Sequence, residues 1–155
     1  MPTIEQDHPT REDVQALIRE HLADMYATSP AESVHALDVA ALTKPGLTFF
    51  TAREDEVLLG CGALKELSPS DGELKSMRTA AAARGRGIGT LMLAHLLGEA
   101  RRRGYRAVHL ETGTQDFFAP ARRLYEQHGF VECPPFGDYT EDPVSVYYVL
   151  ELTEP

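Results

Sequence analysis

Cysteine is scarce in this chain: of its 155 residues only Cys61 and Cys133 carry a thiol. Without a Cys-x-x-Cys or Cys/His spacing the pair makes neither a disulfide framework nor a zinc site, and both read as buried, reduced thiols. The six histidines (His8, His21, His35, His95, His109 and His128) show no His-x-His or His-Glu-x-x-His spacing, so no metal is expected. A Gly-x-Ser-x-Gly elbow is absent, which removes support for serine-hydrolase chemistry. No apolar run approaches the ~18 residues that a membrane span needs. The opening residues, Met1 to Asp7, lack the basic and apolar segments of a secretory signal, so the expected setting is a reducing cytoplasm. Positive charge is in deficit too. Fifteen Lys and Arg against 24 Asp and Glu leave a net charge of −9, a poor balance for gripping nucleic-acid phosphates, although a local basic patch can still hold an anion.

What is present is ordinary for a globular protein. Hydrophobic residues at 43% and charged residues at 25% argue against disorder and against a coiled coil. The length suits one domain over residues 1–155. Thr3 to Asp7 reads as a short strand. Thr10 reads as the N-cap of a helix carrying Val14, Leu17, Ile18 and Leu22 at helical spacing. Ser33 to Leu42 reads as a short second helix. Leu47 to Arg53 and Val57 to Leu67 read as a hairpin joined through Glu54-Asp55-Glu56, with Gly60 and Gly62 marking a bulge or a close approach. Glu73 to Thr79 completes an antiparallel meander.

The second half changes character. Arg84-Gly85-Arg86-Gly87-Ile88-Gly89 precedes a helix with Leu93, Leu96, Leu97 and Ala100 on one side, and Arg101-Arg102-Arg103-Gly104 stops it. Ala107 to Glu111 is a strand. Pro120 opens a last helix, which carries Leu124 and Tyr125 and stops at Gly129. Phe130 to Cys133 and Val144 to Leu152 are the final strands, separated by the stiff loop Pro134-Pro135-Phe136-Gly137-Asp138-Tyr139. This order predicts an α+β fold: a mixed, largely antiparallel sheet of six to seven strands flanked by about four helices.

The segment Arg84 to Gly89 carries the chemistry. Alternate glycines let a ligand approach the backbone closely, and the helix that follows offers unpaired N–H groups and a positive dipole end to a phosphate. A P-loop is excluded because Gly89-Thr90 lacks the lysine. A Rossmann fingerprint is excluded because the third glycine falls one place early. A tight strand-to-helix turn with incidental glycines is the plain alternative.

Arg84-x-x-Gly87-x-Gly89 resembles the phosphate-loop signature of the GCN5-related N-acetyltransferases, the GNAT superfamily, in its small bacterial form. Leu124-Tyr125-Glu126-Gln127-His128-Gly129-Phe130 resembles a second element of the same family. The resemblance implies acetyl-CoA as co-substrate, with its pyrophosphate on Arg84, Gly85, Arg86, Gly87, Ile88, Gly89 and Thr90. It implies the pantetheine arm along Met77, Arg78 and Thr79, Arg78 turning to the other side of the strand and the Met77 N–H serving as an oxyanion donor. It implies Tyr125 as the proton donor to the leaving thiolate, and Glu73 as a general base that shares a strand side with Met77, with Glu111 as its rival. The usual asparagine seven places before the tyrosine is Phe118 here, and Gln115-Asp116 is the expected substitute. His35, Glu111, Phe136, Tyr139 and Ser145 are candidates for the acceptor pocket. The acceptor implied is a primary amine of a small molecule or peptide, and the resemblance leaves room for a homodimer. The alternative is a catalytically silent acetyl-CoA-binding module.

Overall fold

The computed structural model describes residues 1–152. The strands are β1 (Thr3–Gln6), β2 (Leu47–Glu54), β3 (Val57–Ser68), β4 (Asp71–Thr79), β5 (Ala107–Gly113), β6 (Val131–Cys133) and β7 (Ser145–Glu151). The helices are α1 (Glu12–Thr28), α2 (Val39–Leu42), α3 (Ile88–Arg102) and α4 (Ala119–Gln127). All seven strands form one sheet in the order β1-β2-β3-β4-β5-β7-β6, antiparallel except where β4 meets β5. The expected fold class is what the chain adopts.

Local chemistry explains most boundaries. Asp55 and Glu56 both take positive φ (51° and 65°), the two-residue turn whose twist suits a hairpin, so Glu54 pairs with Val57. Gly87, at φ 77°, caps α3, and Gly104, at φ 79°, follows its end. Two helix expectations change. Arg11, not Thr10, occupies the cap of α1 and makes no capping bond; Glu12 and Asp13 favour the helix start through its dipole instead. The helix expected over Ser33 to Leu42 shrinks to α2, because residues 34–38 run irregularly until the Asp38 carboxylate accepts from the Ala41 N–H at 2.8 Å. Leu37 then packs into a core as part of a loop.

The sheet is covered on both sides. One side, against α3 and α4, buries Leu64, Leu74, Leu93, Leu96, Val108, Leu110 and Tyr148. The other, against α1 and α2, buries Val14, Ile18, Leu42, Phe49, Cys61 and Ala63. Strict alternation along β4 would put Glu73 and Met77 on one side. It does not hold, because the register jumps: Lys75 pairs with Ala63, but Arg78 pairs with Cys61. Three steps on β4 match two on β3. The extra residue is Ser76, in left-handed conformation at φ 54°. Glu73, Lys75 and Arg78 therefore face α1, while Leu74 and Met77 face α3 and α4. The expectation that Glu73 and Met77 share a side is corrected by this bulge.

The parallel pairing of β4 with β5 covers only Asp71–Ala107, Gly72–Val108 and Glu73–His109. Beyond it the two strands diverge and leave a V-shaped opening through the sheet. Gly60 allows β3 to lie against β4 beside that opening: a Cβ there would stand 2.8 Å from the Arg78 carbonyl oxygen and 3.0 Å from Ile88. Backbone cannot swing away as a side chain does. Gly60→Ala is therefore expected to lower stability by about 1–3 kcal/mol, the usual cost of overpacking, and urea unfolding measures it.

Candidate active site

The opening between β4 and β5 holds a cavity of about 560 Å³. Its wall comes from β4 (Glu73 to Thr79), β5 (Leu110 to Gly113), α1, residues 33–36, the start of α3, and α4. Because the sheet is parted there, side chains from both of its sides reach one space. Outside the wall, the Gln115 amide donates to the Thr28 carbonyl at 2.9 Å and to Ser29 Oγ at 3.1 Å, tying the loop after β5 to the end of α1.

At the open end, Thr79, Arg84, Ile88 and Gly89 border the cavity. Gly85, Arg86, Gly87 and Thr90 continue the loop outside the wall, with Arg86 turned toward Glu54 at 3.4 Å. Gly85 and Gly87 have positive φ and nothing within 4 Å of a notional Cβ, so open space lies in front of the loop. The first N–H groups of α3 have no intrahelical partner. The loop thus fits a pyrophosphate: free donors, a dipole end, room for the anion, and the Arg84 guanidinium beside it.

Tyr125 enters from the α4 side. It is buried, its ring meets Phe130 edge-on at 5.7 Å, and its hydroxyl points to Met77 Sδ at 3.8 Å. Burial, with the charge of Glu111 adding, pushes its pKa up to about 12, so the hydroxyl stays protonated and can give a proton. Phe118, in place of the usual asparagine, borders the cavity with its ring. Of the expected Gln115-Asp116 substitute, neither residue borders it, and the Gln115 amide is spent on α1.

The opposite side supplies the carboxylates. Glu73 is only 2% exposed yet borders the cavity. Its Oε2 accepts from the Tyr139 hydroxyl at 2.6 Å and lies 3.5 Å from Lys75 Nζ. Lys75 Nζ also donates to Tyr139 Oη at 2.7 Å and to the His35 carbonyl at 3.2 Å. Burial and then the Glu73 charge push the Tyr139 hydroxyl far above its usual range. Glu111 borders the cavity without an ion pair among the described residues. Burial drives its pKa up to about 7; Lys75 pulls it down and Glu73 pushes it further up.

The acceptor candidates divide. His35 and Glu111 border the cavity; Phe136, Tyr139 and Ser145 do not. Tyr139 and Phe136 pack behind Glu73 in an aromatic group with His35, His109 and Tyr147, at centroid separations of 4.8–6.0 Å. Phe136 and Tyr139 as pocket walls are corrected: the loop folds its rings under the floor, where Tyr139 has a hydroxyl partner to satisfy. Ser145 pairs with Gly113 inside the sheet. Lys75 and the Ser76 bulge were not singled out from the sequence. Arg78 turns from the strand to Glu20 and Asp24 of α1, as its expected orientation required. His21, on the same helix, is held neutral by burial and by Arg78, with its pKa lowered to about 4.

Comparison with known proteins meets this geometry. The model of the acetyltransferase (GNAT) family matches residues 14–130. The chain is similar to the uncharacterized N-acetyltransferase YsnE of Bacillus subtilis (strain 168), 48% identical over 146 residues, which span 94% of this chain and 97% of that one. It is also similar to the IAA acetyltransferase of Azospirillum brasilense, 39% identical over 149 residues and covering 94% of each. A solved structure from Klebsiella pneumoniae, described as an acyl-CoA N-acyltransferase, superposes with a TM-score of 0.83 at 28% identity over 99% of each chain. The chain belongs to the GNAT family and is an acetyl-CoA-dependent acetyltransferase.

The raised pKa of Glu111 has a consequence for stability. Its folded value, about 7, lies above the ordinary 4.5, so the folded state holds the proton more tightly than the unfolded one. The contribution is fully present below about pH 4.5 and is lost as pH rises through about 7. Glu111→Gln cannot titrate. Urea unfolding of both proteins from pH 4 to pH 8 is expected to show the wild type losing stability relative to the variant across that window and levelling off above it.

Proposed function

We propose that this chain moves an acetyl group directly onto a primary amine of a small molecule or peptide. The observation that carries the reading is the parted sheet, with a protonated Tyr125 on one side of a shared cavity and Glu111 on the other. Acetyl-CoA, when bound, supplies an acetyl thioester, whose carbonyl carbon is the electrophile. Arg84 and the N–H groups of Ile88, Gly89 and Thr90 would hold its pyrophosphate.

An amine at neutral pH carries an extra proton, which it must lose before its lone pair can attack. Glu111 Oε takes that proton, directly or through one water. Its pKa near 7 suits the task, since about half of it is ionised at neutral pH. Glu73 is already engaged by Tyr139 and Lys75, and its charge helps keep Glu111 basic. Tyr125 Oη donates its proton to the sulfur as the C–S bond breaks. The amine nitrogen attacks the thioester carbon as one proton passes from the amine to Glu111 and another from Tyr125 to the departing sulfur, so no covalent enzyme intermediate is needed. Cys61 supports this: its thiol is fully buried, its pKa is pushed up to about 12 by burial, and it donates to the Ser76 carbonyl.

The test is thiol release from acetyl-CoA across a panel of amines, with IAA, the compound in the name of the Azospirillum relative, assayed beside them. A catalytically silent module would release none. Tyr125→Phe is expected to keep acetyl-CoA affinity while lowering kcat by about 10²-fold, within the range of a general acid. A wild-type kcat in that variant, with chemistry limiting, would remove Tyr125 from the reaction. In the wild type kcat/KM is expected to rise with pH through about 7. Glu111→Gln should lose that step and Glu73→Gln should keep it, moved to lower pH because the Glu73 charge is gone; the reverse pattern would return the proton to Glu73.

A further inference from the structure

Resting on the amine reading above, we infer that the acceptor end of the cavity selects an amine with no carboxylate beside it, and favours a second ammonium group: a short aliphatic diamine over the corresponding amino acid. The argument is an inventory of charge. Lys75 and Arg78 are the cations bordering the cavity on the α1 side, and both are spent. Lys75 Nζ has three protons and three partners: Tyr139 Oη at 2.7 Å, the His35 carbonyl at 3.2 Å and Glu73 Oε2 at 3.5 Å. The Arg78 guanidinium is paired with Glu20 at 2.8 Å and with Asp24. The remaining cationic side chain on the wall, Arg84, belongs to the phosphate end. His21 is neutral.

The anions are not spent. Glu111 has no ion-pair partner among the described residues. Glu73, 98% shielded from solvent by its 2% exposure, borders the cavity, and neither of its two contacts uses Oε1. A carboxylate on the acceptor would meet these two groups with no free guanidinium or ammonium to receive it, and juxtaposed like charges cost several kcal/mol at a desolvated contact. An ammonium group would meet the reverse: an open acceptor atom on a fixed carboxylate. Tyr139 and Lys75 hold that carboxylate by its other oxygen, so Glu73 is positioned to receive a ligand cation without reorganising. Glu111 takes the reacting amine's proton, and Glu73 Oε1 takes the second ammonium group.

Four compounds of one chain length test this with the unmodified protein: 1,5-diaminopentane, lysine, lysine amide and 1-aminopentane. Thiol release and the mass of the acetylated product are read for each. The expected kcat/KM for 1,5-diaminopentane exceeds that for lysine by about 10²-fold, and lysine amide, which lacks the charge, recovers most of the difference. 1-Aminopentane is expected to show a KM about 10-fold above that of the diamine, with similar kcat. Glu73→Gln should erase that KM gap, read as the ratio of the two KM values within the variant. Lysine equal to or better than the diamine overturns the inference, and loss of lysine activity in Lys75→Met would then identify Lys75 as a carboxylate anchor. A Glu73→Gln variant that keeps the full diamine preference overturns the assignment of the second site. If carboxylate-bearing acceptors alone react, the inference fails while acetyl transfer stands. If no amine of any kind reacts, the amine reading itself fails.

Discussion

The parallel contact between β4 and β5 ends after three residue pairs, and the chemistry of this chain depends on that early end. A fully paired sheet is a wall. Here the wall parts, and groups rooted on opposite sides of it come to one cavity. Tyr125 arrives with α4, behind the larger core; Glu73, Lys75 and Glu111 arrive on the side covered by α1. Elsewhere the sheet is conventionally paired, and its two cores hold the flanks of the opening in place without filling it. Ser76 adds the second constraint. One left-handed residue changes the parity of β4, so the strand sends Met77 toward the tyrosine and Arg78 toward α1 within two positions.

Charge is distributed along the cavity in the same divided manner. The end at the glycine loop has Arg84 and the start of α3; the far end has two carboxylates and a lysine already engaged. Burial makes both ends demanding. Tyr125 is kept protonated and Glu111 is kept close to neutral titration by the same exclusion of water, and the charge of Glu111 adds to the burial that holds the proton on Tyr125. The long loop after β6 contributes although it stays out of the wall, because Tyr139 reaches Glu73 from beneath and fixes which carboxylate oxygen remains open.

Much of this was legible from residues alone. The loop Arg84 to Gly89 declares itself through alternate glycines before an apolar helix and the meander through its turn residues, while Tyr125 stands out only through the resemblance of Leu124 to Phe130 to a family element. Other features carry no local signal. Serine has no special preference for left-handed backbone, so Ser76 could not announce a bulge as a glycine or asparagine would. Strict alternation along Glu73 to Thr79 then assigned the wrong partner side to Glu73. The Tyr139–Glu73 bond joins residues 66 positions apart and exists only because a loop folds back under the sheet. The segment Ser33 to Leu42 has apolar residues at loose helical spacing, but tertiary packing uses Leu37 as a loop anchor and spends the His35 carbonyl on Lys75. Gly60, in contrast, was flagged as a point of close approach, and the Arg78 carbonyl is what approaches it.

The parity change at Ser76 bears on how such a protein can diversify. Side-chain parity on a strand is altered by insertion or deletion of a residue, not by exchanging one side chain for another. The donor-facing and acceptor-facing halves of β4 are therefore insulated from each other under point mutation. Residues facing α1, the segment 33–36 and the loop beneath Glu73 can be exchanged to suit a new acceptor while the tyrosine side and the glycine loop stay as they are. Acceptor preference can drift in this architecture without passing through a form that has lost its hold on the acyl donor.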